Sequence, residues 1–161
     1  MDYLKMTITM NLKLHQLSTR EYSADPTGFA ARFVTGRWHD IGDRCIYTCL
    51  RRSQCLIEFS RGGYHFDQEL HDMVFTIFDV PGGSLREFAE SELPPEWRTW
   101  PRPEAARAFG SRILKAADTL VVSFPSAVFP DERIYLINPR HDLIRSVRIM
   151  GVENLDTSLY I

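Results

Sequence analysis

The 161-residue chain has too few cysteines for a disulfide framework. Cys45, Cys49 and Cys55 are odd in number and lie close together, so they read as reduced, buried side chains beside a strand and a helix. Metal-ligand spacing is missing too. Cys45-xxx-Cys49 has no second cysteine pair, His39 completes no regular set, and His65 and His71 have no adjoining carboxylate motif. No apolar run approaches the roughly 20 residues of a membrane helix. Met1 to Asn11 carries Asp2 and Lys5 but not the basic-then-apolar order of a signal peptide, which leaves the cytoplasm as the expected location. The formal charge is -2 with no basic block, which argues against direct nucleic-acid binding. Gly62-Gly63 and Pro81-Gly82-Gly83 lack the lysine and hydroxyl of a phosphate-binding loop and read as turns. No Ser-His-Asp order, internal repeat, low-complexity stretch or linker stands out.

What is present is the composition of a folded protein, 44% hydrophobic and 25% charged, at a length that fits one compact domain spanning residues 1–161. Cys45 to Cys49 suits a short strand, and Leu50 to Phe59 a helix with Gly62-Gly63 past its end. Met73 to Val80, rich in Val, Phe and Ile, reads as a buried strand central to a sheet. Glu92 to Arg98 reads as a loop and short turn. Pro103 opens a helix through about Ala117, with Ala106, Phe109, Ile113 and Ala117 at helical spacing. Leu120 to Phe124, Ile134 to Ile137 and Ser146 to Ile149 are further strands, the last stopped by Gly151. Helices do not alternate with every strand, so the expected class is α+β with a mixed sheet. Trp97 and Trp100 read as packing anchors, and Arg51-Arg52 as the solvated start of a helix.

Four polar side chains stand inside apolar sequence: Arg37 in Gly36-Arg37-Trp38, Tyr47 before Thr48, Glu58 in Cys55-Leu56-Ile57-Glu58-Phe59, and Ser126 after Phe124-Pro125. A cation, a phenol, a carboxylate and a hydroxyl are the groups needed to hold an anionic nucleotide and break a bond at its sugar carbon, which makes NAD+ the first substrate to consider. Cleavage of the nicotinamide-ribose bond builds positive charge on the ribose, and a fixed carboxylate such as Glu58 stabilises it. The planar fork of Arg37 suits a diphosphate. Tyr47 could set its ring against nicotinamide or its hydroxyl on substrate, and Ser126 could hydrogen-bond ribose or phosphate. Each has a plainer reading: a helix-surface glutamate, a surface arginine packed on Trp38, a core tyrosine and a local serine turn.

The order and spacing of several short stretches resemble the RES domain family, named for its Arg, Glu and Ser. They are Gly36-Arg37-Trp38, Ile46-Tyr47-Thr48, Glu58, Leu93-Pro94-Pro95-Glu96-Trp97, Phe124-Pro125-Ser126-Ala127-Val128 and Tyr135-Leu136-Ile137-Asn138-Pro139-Arg140-His141, covering about residues 14–150. The resemblance implies a fold similar to ADP-ribosyltransferases and the toxin of a toxin-antitoxin pair. It implies an NAD+ glycohydrolase or NAD+ phosphorylase with water or phosphate as acceptor, needing no cofactor or metal. Glu58, Arg37 and Tyr47 would be catalytic, and Arg37, Tyr47 and Ser126 would bind NAD+. The implied partner is an Xre-like antitoxin, and a homodimer within the complex is compatible with it. Two departures stand out: His39 where many relatives continue with Asn, and Gln16 in Leu14-His15-Gln16-Leu17 where relatives often have Arg. His141 is expected to support the active-site wall. The alternatives are a protein ADP-ribosyltransferase and a noncatalytic NAD- or partner-binding domain.

Overall fold

The computed structural model describes residues 10–60 and 70–156. Gly62-Gly63 and His65 lie outside the described residues. The described residues form two compact units: those within 10–24, 48–60, 70–83 and 146–156 make one, and residues 25–47 and 84–145 make the other. Strands of both directions and helices that do not alternate with them give the α+β class, and the strands divide between two sheets rather than forming one.

The first unit holds β1 (Leu12–Thr19), α1 (Arg52–Ser60), β3 (Met73–Val80) and β7 (Arg148–Asn154). Its sheet runs in the order β1-β3-β7, antiparallel throughout. β3 is buried on both faces except at Asp79, which is why its sequence is a continuous apolar run instead of an alternating one. β7 passes through Gly151 and does not stop there. The ladder shifts between Ile77 and Phe78 and places Gly151 opposite Ile77 and Ile149 opposite Phe78. This is an irregularity that an edge strand tolerates, so the glycine did not need to end the pairing. α1 turns Gln54, Cys55 and Leu56 inward and leaves Arg51, Arg52 and Ser53 in solvent. The Cys55 thiol donates to the main-chain carbonyl of His15 at 3.3 Å. His15 in turn bridges Cys49 through paired main-chain bonds of 2.8 and 2.9 Å.

The second unit is built on β2 (Ile46–Thr48), β4 (Leu85–Glu87), β5 (Val121–Pro125) and β6 (Arg133–Ile137), in the order β2-β6-β5-β4. β4 runs parallel to β5, and β6 antiparallel to it. β5 includes Pro125, which spans a sheet position where the expected strand ended one residue earlier. Arg133 of β6 ties β5 to the segment just after β4: its guanidinium donates to the Ser123 hydroxyl and carbonyl and to the carbonyl of Phe88. The core centres on Trp38. Its fully buried ring stacks on Phe124 at 4.1 Å and on Trp97 at 5.9 Å and meets Phe109 edge-on, the geometries that the aromatic quadrupole favours. Trp97 is thus a packing anchor. Trp100 is not, being 51% exposed with the Arg102 guanidinium over its ring.

α2 (Glu104–Ala116) buries Ala106, Gly110, Ser111 and Leu114. Of the expected stripe Ala106 is buried, but Phe109, Ile113 and Ala117 sit one residue to the side and are only half-buried. Gly110 causes the rotation. A β-carbon there would overlap the main-chain carbonyl oxygen of Trp38 and lie 2.6 Å from its carbonyl carbon, so the helix meets that backbone on its glycine face. Periodicity counts apolar side chains and is blind to a face chosen for having none.

Candidate active site

The segment Gly36-Arg37-Trp38-His39 is buried in the second unit, beside Tyr47 of β2. Arg37 is 8% exposed, and its Nη1 donates to the main-chain carbonyls of Trp97 at 2.7 Å and Thr99 at 3.0 Å. The surface-arginine reading is therefore excluded. The guanidinium holds the 97–99 turn, and this charge is close enough to favour ionisation of the Tyr47 phenol.

Tyr47 is fixed at its tip. The hydroxyl oxygen accepts from the Trp38 main-chain N–H at 3.2 Å and lies 2.8 Å from His39 Nδ1. The other imidazole nitrogen, Nε2, is 3.0 Å from the Ala31 carbonyl. A carbonyl can only accept, so Nε2 carries the proton in the neutral ring and Nδ1 accepts the Tyr47 hydroxyl hydrogen. Gly36 makes room for this bond. A β-carbon on Gly36 would stand 2.5 Å from both His39 Nδ1 and the Tyr47 hydroxyl. Burial raises the Tyr47 phenol well above its ordinary range, outweighing the opposing Trp38 N–H and the Arg102 and Arg37 charges. The phenol is thus a neutral donor.

Ser126 follows β5 and is 1% exposed. Its hydroxyl oxygen accepts from the main-chain N–H groups of Val128 at 3.1 Å and Phe129 at 3.2 Å, while its own N–H donates to Glu132. This is the local serine turn of the plainer reading. Arg98 secures the same segment by donating to the carbonyls of Ala127 and Val128. Asn138, also 1% exposed, donates from its amide to the Leu114 carbonyl and accepts from the Arg140 N–H. His141 Nδ1 then accepts from the Leu143 N–H, which gives the ring a turn-stabilising role. Arg37, His39, Tyr47 and Ser126 all belong to the second unit. Glu58 belongs to the first, on α1, half-buried and preceded by the buried Cys55 and Leu56. Gln16 and His15 stand on β1. Both carry a buried side-chain atom without a hydrogen-bond partner, Gln16 Oε1 and His15 Nδ1. Among the described residues no cluster of His, Cys, Asp or Glu could hold a metal ion, and no helix is long and apolar enough to cross a membrane.

The RES domain profile matches residues 13–158. The chain belongs to the RES domain family. Among curated relatives it is 29% identical over 129 residues to the Toxin Res of Pseudomonas putida, an alignment covering 78% of this chain and 86% of the relative. It is 25% identical over 138 residues to the Prs ADP-ribosylating toxin of a Sphingobium species, covering 83% and 84%. Among solved structures, the RES chain superposes on a chain of the M. tuberculosis MbcT–MbcA toxin–antitoxin complex with a TM-score of 0.70. That alignment covers 95% of this chain and 88% of the other at 14% identity, so it speaks to the fold alone.

Within this RES domain the residues that sequence reasoning left without a role are His39, Gly36 and Arg98. The departure from Asn at position 39 was the available signal for the first. Two buried histidines also give the fold a pH dependence. Burial is the main reason that both His15 and His39 titrate below the ordinary 6.5; carbonyl hydrogen bonds, joined for His39 by the Asp43 charge, offset it only in part. The unfolded chain therefore binds more protons between 6.5 and the lowered folded values. Their contribution to stability is complete above 6.5 and is lost as pH falls through that window. Urea midpoints measured on either side of pH 6.5 should decline toward acid, and a midpoint independent of pH there would contradict the neutral, buried imidazoles.

Proposed function

We propose that this protein is a toxin that consumes NAD+ by cleaving its nicotinamide-ribose bond. The observation that carries the reading is family membership over residues 13–158, a span that includes Arg37, Tyr47, Glu58 and Ser126. Nicotinamide leaves NAD+ as a neutral ring because the breaking bond's electron pair cancels its pyridinium charge, so the leaving group needs no acid. The positive charge passes to the ribose. The Glu58 carboxylate stabilises it there. Arg37 presents its guanidinium to the diphosphate. Tyr47 offers its ring to nicotinamide, and the Ser126 hydroxyl, whose oxygen accepts from its own turn, donates its hydrogen to ribose or phosphate. Water or inorganic phosphate then attacks the sugar carbon and loses a proton, giving ADP-ribose or its 1″-phosphate.

An enzyme that drains NAD+ needs restraint in its own cell, and the partner we propose is an Xre-like antitoxin. The solved toxin–antitoxin complex of the same fold supports a protein inhibitor of this kind. The test is nicotinamide release from NAD+ by purified protein, with and without phosphate. Release in water alone is the expected result for a glycohydrolase, and release only with phosphate for a phosphorylase. No release in either would overturn the proposal. The name of the Sphingobium relative, an ADP-ribosylating toxin, favours a second reading in which a protein side chain traps the sugar. Adducts on cellular proteins, read by mass spectrometry, would distinguish it.

A further inference from the structure

Three features of the second unit bear on one hydrogen bond. His39 is 3% exposed, yet neither of its nitrogens is spent on packing: Nε2 is anchored on the Ala31 carbonyl and Nδ1 faces the Tyr47 hydroxyl at 2.8 Å. Gly36 leaves the space between them open, since any β-carbon there would press on both groups. The Trp38 N–H occupies the phenol oxygen from another side, so among the described residues His39 Nδ1 is the acceptor positioned for the hydroxyl hydrogen.

We infer that His39 is a positioning residue for Tyr47, and that its neutral imidazole orients the phenol for NAD+ cleavage and makes turnover sensitive to acid. The inference rests on the function proposed above. When His39 is protonated, Nδ1 becomes a donor, the phenol oxygen must accept from two N–H groups, and its hydrogen turns away. The charged groups around the pair set where this happens. Asp43 favours the imidazolium, and Arg102 opposes it. On the Tyr47 side, Arg37 and Arg102 face the phenol, with the neutral Cys45 thiol beside it. Burial dominates and keeps the ring neutral to below 6.5.

The two nitrogens can be separated by substitution. Asparagine carries an amide oxygen the same number of bonds from the backbone as Nδ1 and keeps an acceptor for Tyr47. Glutamine reaches instead to the place of Nε2 and keeps only the Ala31 contact. We expect H39Q to lower kcat by about tenfold relative to H39N, the rate equivalent of one hydrogen bond. H39N should also lose the acid limb expected of wild type below pH 6.5. Equal kcat in the two variants, or an acid limb that survives in H39N, would overturn the inference. A measurement that needs neither turnover nor a variant is the 15N spectrum of His39 in the wild-type protein at neutral pH. Protonated Nε2 with bare Nδ1 supports the arrangement, and the opposite tautomer or an imidazolium overturns it. Wild type that releases no nicotinamide but shows this tautomer would refute the NAD+ reading, leaving the hydrogen bond intact.

Discussion

Gly110→Ala is expected to destabilise the fold by about 3 kcal/mol, although alanine is worth about 1 kcal/mol more than glycine inside a helix. The added methyl group has nowhere to go. It would meet the carbonyl group of Trp38, main chain that cannot swing aside as a flexible side chain can, and Trp38 is itself locked between Phe124 and Trp97. Relief requires α2 to move outward, which loosens the contacts of Ala106, Ser111 and Leu114 in the same stripe. For a chain of this size the melting temperature should fall by about 6 to 12 °C. Gly151→Ala is the control, because no atom lies within 4 Å of the β-carbon it would add, and its melting temperature should stay close to wild type. A Gly110→Ala protein as stable as the parent would show that α2 and the Trp38 backbone are not in tight contact.

Glu58→Gln should reduce nicotinamide release on the order of a hundred- to a thousandfold, the usual cost of removing one preorganised electrostatic group from a charged transition state. Glutamine keeps the shape and hydrogen-bonding reach of the side chain but not its charge, so α1 should remain folded and circular dichroism unchanged. The loss should fall on kcat. In the proposed mechanism a carboxylate beside the ribose favours the ribosyl cation over ground-state NAD+, and an interaction made mainly in the transition state raises kcat without tightening substrate binding. Induction of the wild type is expected to arrest growth, and induction of the variant to be harmless. Full activity of Glu58→Gln would remove Glu58 from the mechanism, and a rise in KM alone would make it a binding group.

Much of this organisation is visible in local sequence because it depends on local chemistry. The β3 segment is an unbroken apolar run because both faces of a central strand are buried. α1 and β2 lie within two residues of their expected bounds, with solvated arginines opening the helix. The cysteines are free and buried as expected of small apolar side chains. Elsewhere a distant partner overrode the pattern. Gly151 reads as a stop, but the bulge opposite Ile77 and Phe78 carries β7 onward to Asn154. β4 escaped notice because three residues, Leu85-Arg86-Glu87, carry no periodicity; pairing with Val121 to Ser123 makes them a strand.

The candidate site divides along the same line. Residue chemistry together with the RES resemblance singled out Arg37, Tyr47, Glu58 and Ser126 as candidates, because a fork of donors, a phenol, a carboxylate and a hydroxyl have intrinsic chemistry that needs no coordinates to recognise. Family membership likewise follows from sequence over residues 13–158. Which donor meets which acceptor did not follow. Arg37 finds the carbonyls of Trp97 and Thr99 some sixty positions away, and Ser126 spends its oxygen on its own turn. His39, a mere departure from Asn in the sequence, proves to hold the Tyr47 hydroxyl through space that Gly36 leaves empty. Sequence determined the class of fold and the inventory of reactive groups, since these are set by side-chain chemistry and short-range periodicity. The tertiary structure alone decided the hydrogen-bond partners and the face of α2, because both depend on the close approach of backbones that are remote along the chain.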